Sequence, residues 1–141
     1  MTFYESEIKR IRSIAYSNQG QLDTVIGTRN YIKIHYDTDL NLDFLSHTRF
    51  VSKFHLLRLF KKYYGQTPKQ YLTDIRIEKS KEYLKKGMSI TETCFAIGFE
   101  APSSFSTLFK SRTGLTPTEF SKEQLSQRQI DDEFETLKCK I

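Results

Sequence analysis

Residues 53–61 read Lys-Phe-His-Leu-Leu-Arg-Leu-Phe-Lys, and at helical spacing the run divides into two faces. Leu56, Leu59 and Phe60 fall together at i, i+3 and i+4, a stripe suited to a core. Nearly opposite stand Phe54, Leu57, Arg58 and Lys61, with Lys53 just before them. A solvated face would account for Arg58 and Lys61, but it would also leave Phe54 and Leu57 in water. A guanidinium that bonds bidentately to guanine, beside apolar groups that touch thymine methyls, uses all four. Lys53 and Lys61 suit phosphates better than base edges. This chemistry is recognition rather than bond making.

Residues able to make bonds are scarce. His35, His47 and His55 do not form a zinc-helix motif, and no acid–base pair, nucleophile elbow or phosphate loop is visible. Cys94 and Cys139 lack metal or redox spacing and read as free thiols of a reducing, cytoplasmic compartment. The chain is therefore expected not to be an enzyme and to need no cofactor and no metal. No apolar run approaches the ~18–20 residues of a membrane span, and the polar N-terminus does not read as a secretory signal.

Charge concentrates around the first run. The 141 residues carry a formal +5. From 40 to 66, Arg49, Lys53, Arg58, Lys61 and Lys62 face Asp43 alone, which gives +4. Residues 67–86 hold +3, whereas 87–121 sum to −1, with Lys110 and Arg112 against Glu92, Glu100 and Glu119. A local positive field of this kind fits a polyanionic partner.

A repeat supplies the elements that must position these groups. At a constant offset of 49, Leu59, Phe60, Lys61, Gly65, Thr67 and Pro68 recur as Leu108, Phe109, Lys110, Gly114, Thr116 and Pro117, and Tyr71 becomes Phe120. Upstream the offset is 48: Leu42, Leu45 and Ser46 match Ile90, Thr93 and Cys94, so the second copy carries one extra residue in its turn. Gly65 and Gly114 read as helix ends, and Thr67-Pro68-x-Gln70 and Thr116-Pro117-x-Glu119 as capping boxes, with a third at Ser89-Ile90-Thr91-Glu92. Asn41 and Ser52 are further caps. These signals predict an all-α fold of about seven helices, near 24–36, 42–48, 52–63, 68–86, 90–97, 102–112 and 117–124. Two helix-turn-helix subdomains, 24–66 and 87–121, are joined by a linker helix over 67–86. Residues 1–23 form an N-terminal extension, where Ile8, Ile11, Ile14 and Ala15 predict a short helix. Residues 122–141 form a polar tail, read as partly disordered or as an extra helix.

The linker helix would span ~28 Å at 1.5 Å per residue, close to the ~34 Å between major-groove faces one turn apart. Its Arg76 lies amid apolar residues and is expected to form a buried or half-buried structural pair with a nearby carboxylate. Gly98 supplies a positive-φ turn residue, and Phe50 stands at the corresponding place in the first copy. There, either Phe50 tolerates strain or the turn differs. The second copy turns Phe105, Leu108 and Phe109 inward and Ser103, Ser106, Thr107 and Lys110 outward, with Ser104 beside them. Short hydroxyls offer no long bidentate reader, so the first unit is expected to supply most affinity and specificity, and the second mainly to position.

These stretches, from Ser52–Lys61 through Tyr71, Arg76-Ile77, Ser89–Glu92 and Gly98-Phe99 to Phe105–Lys110 and Gly114–Pro117, resemble the DNA-binding domain of the AraC/XylS family of bacterial regulators. The resemblance covers residues 24–121. It implies a seven-helix domain whose two helix-turn-helix units meet adjacent major-groove segments of double-stranded DNA. It places base readers at Phe54, Leu57 and Arg58, then at Ser103, Ser106 and Thr107. Against the family pattern, Phe50 replaces the usual turn glycine, Arg49 takes an often apolar place and Cys94 fills a small-residue site. Thr107 stands where Arg is frequent, and Ser121 where a closing Arg is common. With only 23 residues ahead of the match, the chain is expected to be a stand-alone member or a fragment, with no small-molecule ligand implied. A rival reading keeps the fold but makes it a protein-interaction module, for example toward RNA polymerase, with weak DNA affinity.

Overall fold

The computed structural model describes residues 2–139, without the side chains of residues 12–17. These residues form seven α-helices and no strand: α1 Phe3–Ile34, α2 Leu42–Thr48, α3 Lys53–Tyr64, α4 Pro68–Lys85, α5 Ile90–Ala96, α6 Pro102–Thr113 and α7 Pro117–Cys139. The all-helical expectation holds. The helix bounds reproduce the repeat: α2 and α5 are offset by 48 at both ends, and α3 and α6 by 49. The extra residue therefore lies in the turn between α5 and α6.

The caps explain where the helices begin. Asn41 Oδ1 accepts from Phe44 N at 2.7 Å, Ser52 Oγ from His55 N at 3.1 Å and Ser89 Oγ from Glu92 N at 3.1 Å. Both reciprocal boxes close. Thr67 Oγ1 accepts from Gln70 N while Gln70 Oε1 accepts from Thr67 N, and Thr116 and Glu119 repeat the exchange.

Two elements run longer than expected. α1 starts at Phe3, not near residue 24, with Thr2 Oγ1 as its cap, and α7 continues to Cys139 instead of ending near 124. Both extensions carry local side-chain pairs such as Gln19–Asp23 and Gln127–Asp131 that support a helix. Large apolar residues within them, among them Phe3, Ile11, Ile130, Phe134 and Leu137, are exposed and join no core. Of the expected N-terminal stripe, Ile8 is half-buried and Ile11 exposed, while the side chains of Ile14 and Ala15 lie outside the described residues.

The chain divides into two compact units. The first comprises Met1–His35 and Leu40–Leu72, the second Tyr36–Asp39 and Thr73–Ile141. In the first, Val25 and Ile32 of α1, Leu45 of α2, Leu56, Leu59 and Phe60 of α3, and Leu72 at the start of α4 are buried. Phe60 packs on Tyr64 and edge-on to Tyr71, and the Arg29 guanidinium lies 5.4 Å from the Tyr64 ring centre. Gly27, inside α1, leaves the notch that the Arg49 guanidinium occupies; a Cβ there would collide with it.

In the second unit, Ile77 and Leu84 of α4 join Cys94, Ile97, Phe105 and Phe109 in a core flanked by Tyr36, Tyr83, Ile90, Phe99, Leu108 and Phe120. Phe109 meets both Phe105 and Phe120 edge-on, a preferred ring geometry. Cys94 fills its small site fully buried, and burial pushes its thiol pKa up. Arg76 is half-buried as expected, but its direct partners are backbone. Nε donates to Tyr36 O and Nη2 to Thr38 O, both at 2.8 Å. Asp37 and Asp39 act on it only as nearby charges, opposing the downward pKa shift that burial imposes. The segment 36–39 carries the carbonyls, so no carboxylate bond is needed.

Candidate nucleic-acid interface

α3 separates its faces as its sequence period requires. Leu56 and Phe60 are fully buried and Leu59 nearly so. On the other side Lys53, Phe54, Arg58 and Lys61 are exposed, with Phe54 at 67%. Leu57 differs from its neighbours: it is half-buried, at the edge between the faces. Its position still leaves part of the side chain on the side of Arg58.

The electrostatics at the start of α3 run against the helix. Its first turn holds no acid, and Lys53 occupies the first helical position, where the positive end of the helix dipole disfavours a cation and favours an anion. Asp43 of α2 gives partial compensation, with a carboxylate oxygen 3.7 Å from Lys53 Nζ. That distance makes a loose, solvent-screened pair. The same ammonium lies 5.6 Å from the centre of the Phe54 ring. An exposed anion such as a phosphate would complete this end of the helix better than Asp43 does.

α6 presents a different surface. Pro102 begins it after Ala101, which makes no side-chain cap. Phe105 and Phe109 are fully buried, and Leu108 is half-buried beside them. Ser103, Ser104, Thr107 and Lys110 are exposed, and Ser106 is half-buried. Thr107 Oγ1 donates to Ser103 O at 3.0 Å, so its proton is engaged within the helix and its lone pairs remain for a donor. Ser103, Ser104 and Thr107 line a shallow depression of about 580 Å³ with Phe99, Leu108 and Ser111. Arg112, a second cation on α6, is held by Asp74 of α4 at 2.7 Å. Lys110 is the remaining basic group of this helix.

Sequence reasoning singled out Phe50 as a turn residue, strained or in a different turn, but did not count it among the site residues. It adopts φ 56°, with its side chain 97% exposed. Strain at this point is therefore tolerated, and the turn matches that at Gly98, which has φ 92°. The absence of the usual turn glycine was the available signal. Among the described residues no group of three or more His, Cys, Asp or Glu is placed to hold a metal ion, and no helix is long and apolar enough to cross a membrane.

A helix-turn-helix domain family model matches residues 45–123. An uncharacterized HTH-type transcriptional regulator in the cgkA 5' region of Pseudoalteromonas carrageenovora is 36% identical over 92 residues, 65% of this chain and 55% of that protein. The chain thus spans about half the length of this relative. Among solved structures, the C-terminal domain of AraT, a response regulator from Geobacillus stearothermophilus, superposes with a TM-score of 0.69 at 31% identity, over 71% of this chain and 84% of that one. The DNA-binding domain of the global transcriptional factor AdpA, solved with a target DNA, superposes at 0.72 over 76% of this chain and 97% of that one; at 19% identity this shows the fold. Matched fold, matched repeat and an exposed basic helix lead to one assignment: the chain belongs to the AraC/XylS family of helix-turn-helix DNA-binding transcription regulators.

Proposed function

We propose that this chain binds double-stranded DNA sequence-specifically, with α3 and α6 entering adjacent major-groove segments, and that its DNA-binding module spans residues 24–121. The exposed row of Phe54, Arg58 and Lys61 on α3, opposite the buried Leu56 and Phe60, carries this reading. A packed helix that keeps a large ring, a guanidinium and an ammonium on one outer face has the groups a groove requires. Arg58 is the bidentate reader, with Phe54 and Leu57 as apolar contacts to thymine. Lys53, Lys61 and Lys110 take phosphates. Ser103, Ser104, Ser106 and Thr107 supply short hydroxyls that orient α6 without strong base discrimination. The setting is the cytoplasm.

The weak net charge of the second helix-turn-helix unit, −1 over residues 87–121, favours a second reading, in which that unit contacts a protein such as RNA polymerase. Salt separates the two. Selection of duplexes from a random oligonucleotide pool, followed by titration at increasing salt, is expected to yield a defined motif and an affinity that falls by orders of magnitude between about 50 and 200 mM. Flat salt dependence with no enriched motif would overturn the DNA reading and leave the protein-interaction module.

A further inference from the structure

Phe50 combines two features that its own chain does not explain. Among the described residues it alone holds a positive φ without being glycine, a region that a Cβ disfavours. Its ring is also almost wholly in solvent. The turn does not require phenylalanine, since the repeat places Gly98 at the same point. Packing does not require it either. A strained residue with no role inside the fold directs attention to a partner outside it.

Its position identifies the partner. Ser52 caps α3 two residues further on, Lys53 opens the helix, and Phe54 is exposed in the second position. Two exposed phenylalanines thus bracket the exposed Lys53 along the chain at the start of α3. In a helix-turn-helix the start of the second helix meets base edges while the first helix crosses the phosphate backbone, so the joining turn lies over the lip of the groove. At that lip the apolar feature that varies with sequence is the thymine methyl.

We infer that Phe50 is a specificity-determining DNA contact whose ring packs on a thymine methyl at the edge of the groove entered by α3. This rests on α3 being the groove helix. Phe50 thereby adds a thymine preference outside the positions read by Phe54, Leu57 and Arg58. Having no charge, it does so without changing the number of phosphates neutralised.

The test uses the full chain and a 25-bp duplex enriched by that chain from a random pool. Phe50→Gly and Phe50→Asn both accept a positive φ and lack the ring. Each is expected to keep the wild-type thermal midpoint or exceed it, to weaken binding roughly fivefold, and to leave the salt slope unchanged. Replacing single thymines by uracil removes only the methyl. One such swap is expected to weaken wild-type binding roughly threefold and to have no further effect on either variant. Variant affinities within twofold of wild type, or a loss that no uracil swap shares, would overturn the inference. If the wild-type chain shows no salt-dependent duplex binding, the groove reading itself fails; if it binds and the variants match it, only the role of Phe50 fails.

Discussion

Phe50 and Gly98 hold the same left-handed corner at equivalent points of the repeat, with φ 56° and 92°, but in opposite surroundings. The Phe50 ring stands in solvent, whereas a Cβ on Gly98 would lie 2.9 Å from Arg76 Nη2 and 3.1 Å from the Asp37 backbone. Gly98→Ala combines a disfavoured φ with displacement of a guanidinium that holds two carbonyls. It is expected to cost about 2–4 kcal/mol. Phe50→Gly relieves strain while loosening the unfolded chain, and is expected to match wild type or exceed it by up to about 1 kcal/mol. Urea unfolding of both variants checks the contrast, and equal losses would refute it.

On the proposed reading, α3 and α6 are expected to respond unequally to truncation. Arg58→Ala removes the one long bidentate donor of the α3 face and is expected to relax base preference at one operator position by about 1–3 kcal/mol. Thr107 already bonds Ser103 within its own helix, so Thr107→Ala is expected to change affinity by no more than about twofold. Binding titrations against single-base operator variants measure both. The reverse ranking would show that α6, not α3, carries the sequence reading.

Thr93 is fully buried, and its hydroxyl has no hydrogen-bond partner. Its repeat counterpart is Leu45, an apolar core residue. Thr93→Val keeps the shape and removes the stranded group, so it is expected to stabilise the protein by about 1 kcal/mol or more. A rise in the thermal midpoint is the readout, and a fall would show that the hydroxyl has a partner in solution.

Tyr36 and Tyr83 share a hydrogen bond of 2.9 Å. Burial first, then that bond, pushes the Tyr36 phenol up from 10.0 to about 12. Folding thus favours the protonated phenol. Its contribution is fully present below pH 10 and is lost as pH rises through about 12. Tyr36→Phe is expected to lower stability at neutral pH and to flatten the alkaline loss over that window. Equilibrium unfolding of both proteins across pH 8–12 tests this, and parallel curves would contradict it.

Much of the core was legible because its helices carry an apolar period and several of them a capping residue. Asn41, Ser52 and Ser89 cap where expected, and the stripe of Leu56, Leu59 and Phe60 is buried. The ends of the chain were legible only in part. Ile8, Ile11, Ile14 and Ala15 point to a short N-terminal helix, and the tail reads as partly disordered or as an extra helix. Nothing in the pattern marks that each runs unbroken into its neighbouring helix. Arg76 shows another limit. Sequence reveals a cation among apolar residues, but the carbonyls of Tyr36 and Thr38 are backbone groups common to every residue type. Leu57 reads as outward by angle alone and lies half-buried, because a helix face has edges.

From Leu59 onward, and throughout α3 and α6, the repeat holds a constant offset of 49, with the spare residue confined to the turn. Outer positions 53, 54, 57, 58 and 61 therefore map onto 102, 103, 106, 107 and 110 without touching Leu56, Phe60, Phe105 or Phe109. Outer face and scaffold are separable: one helix could be repainted with the other's exterior while each buried ring stayed in place. Such a chain could change what its outer faces present at little cost to its folding.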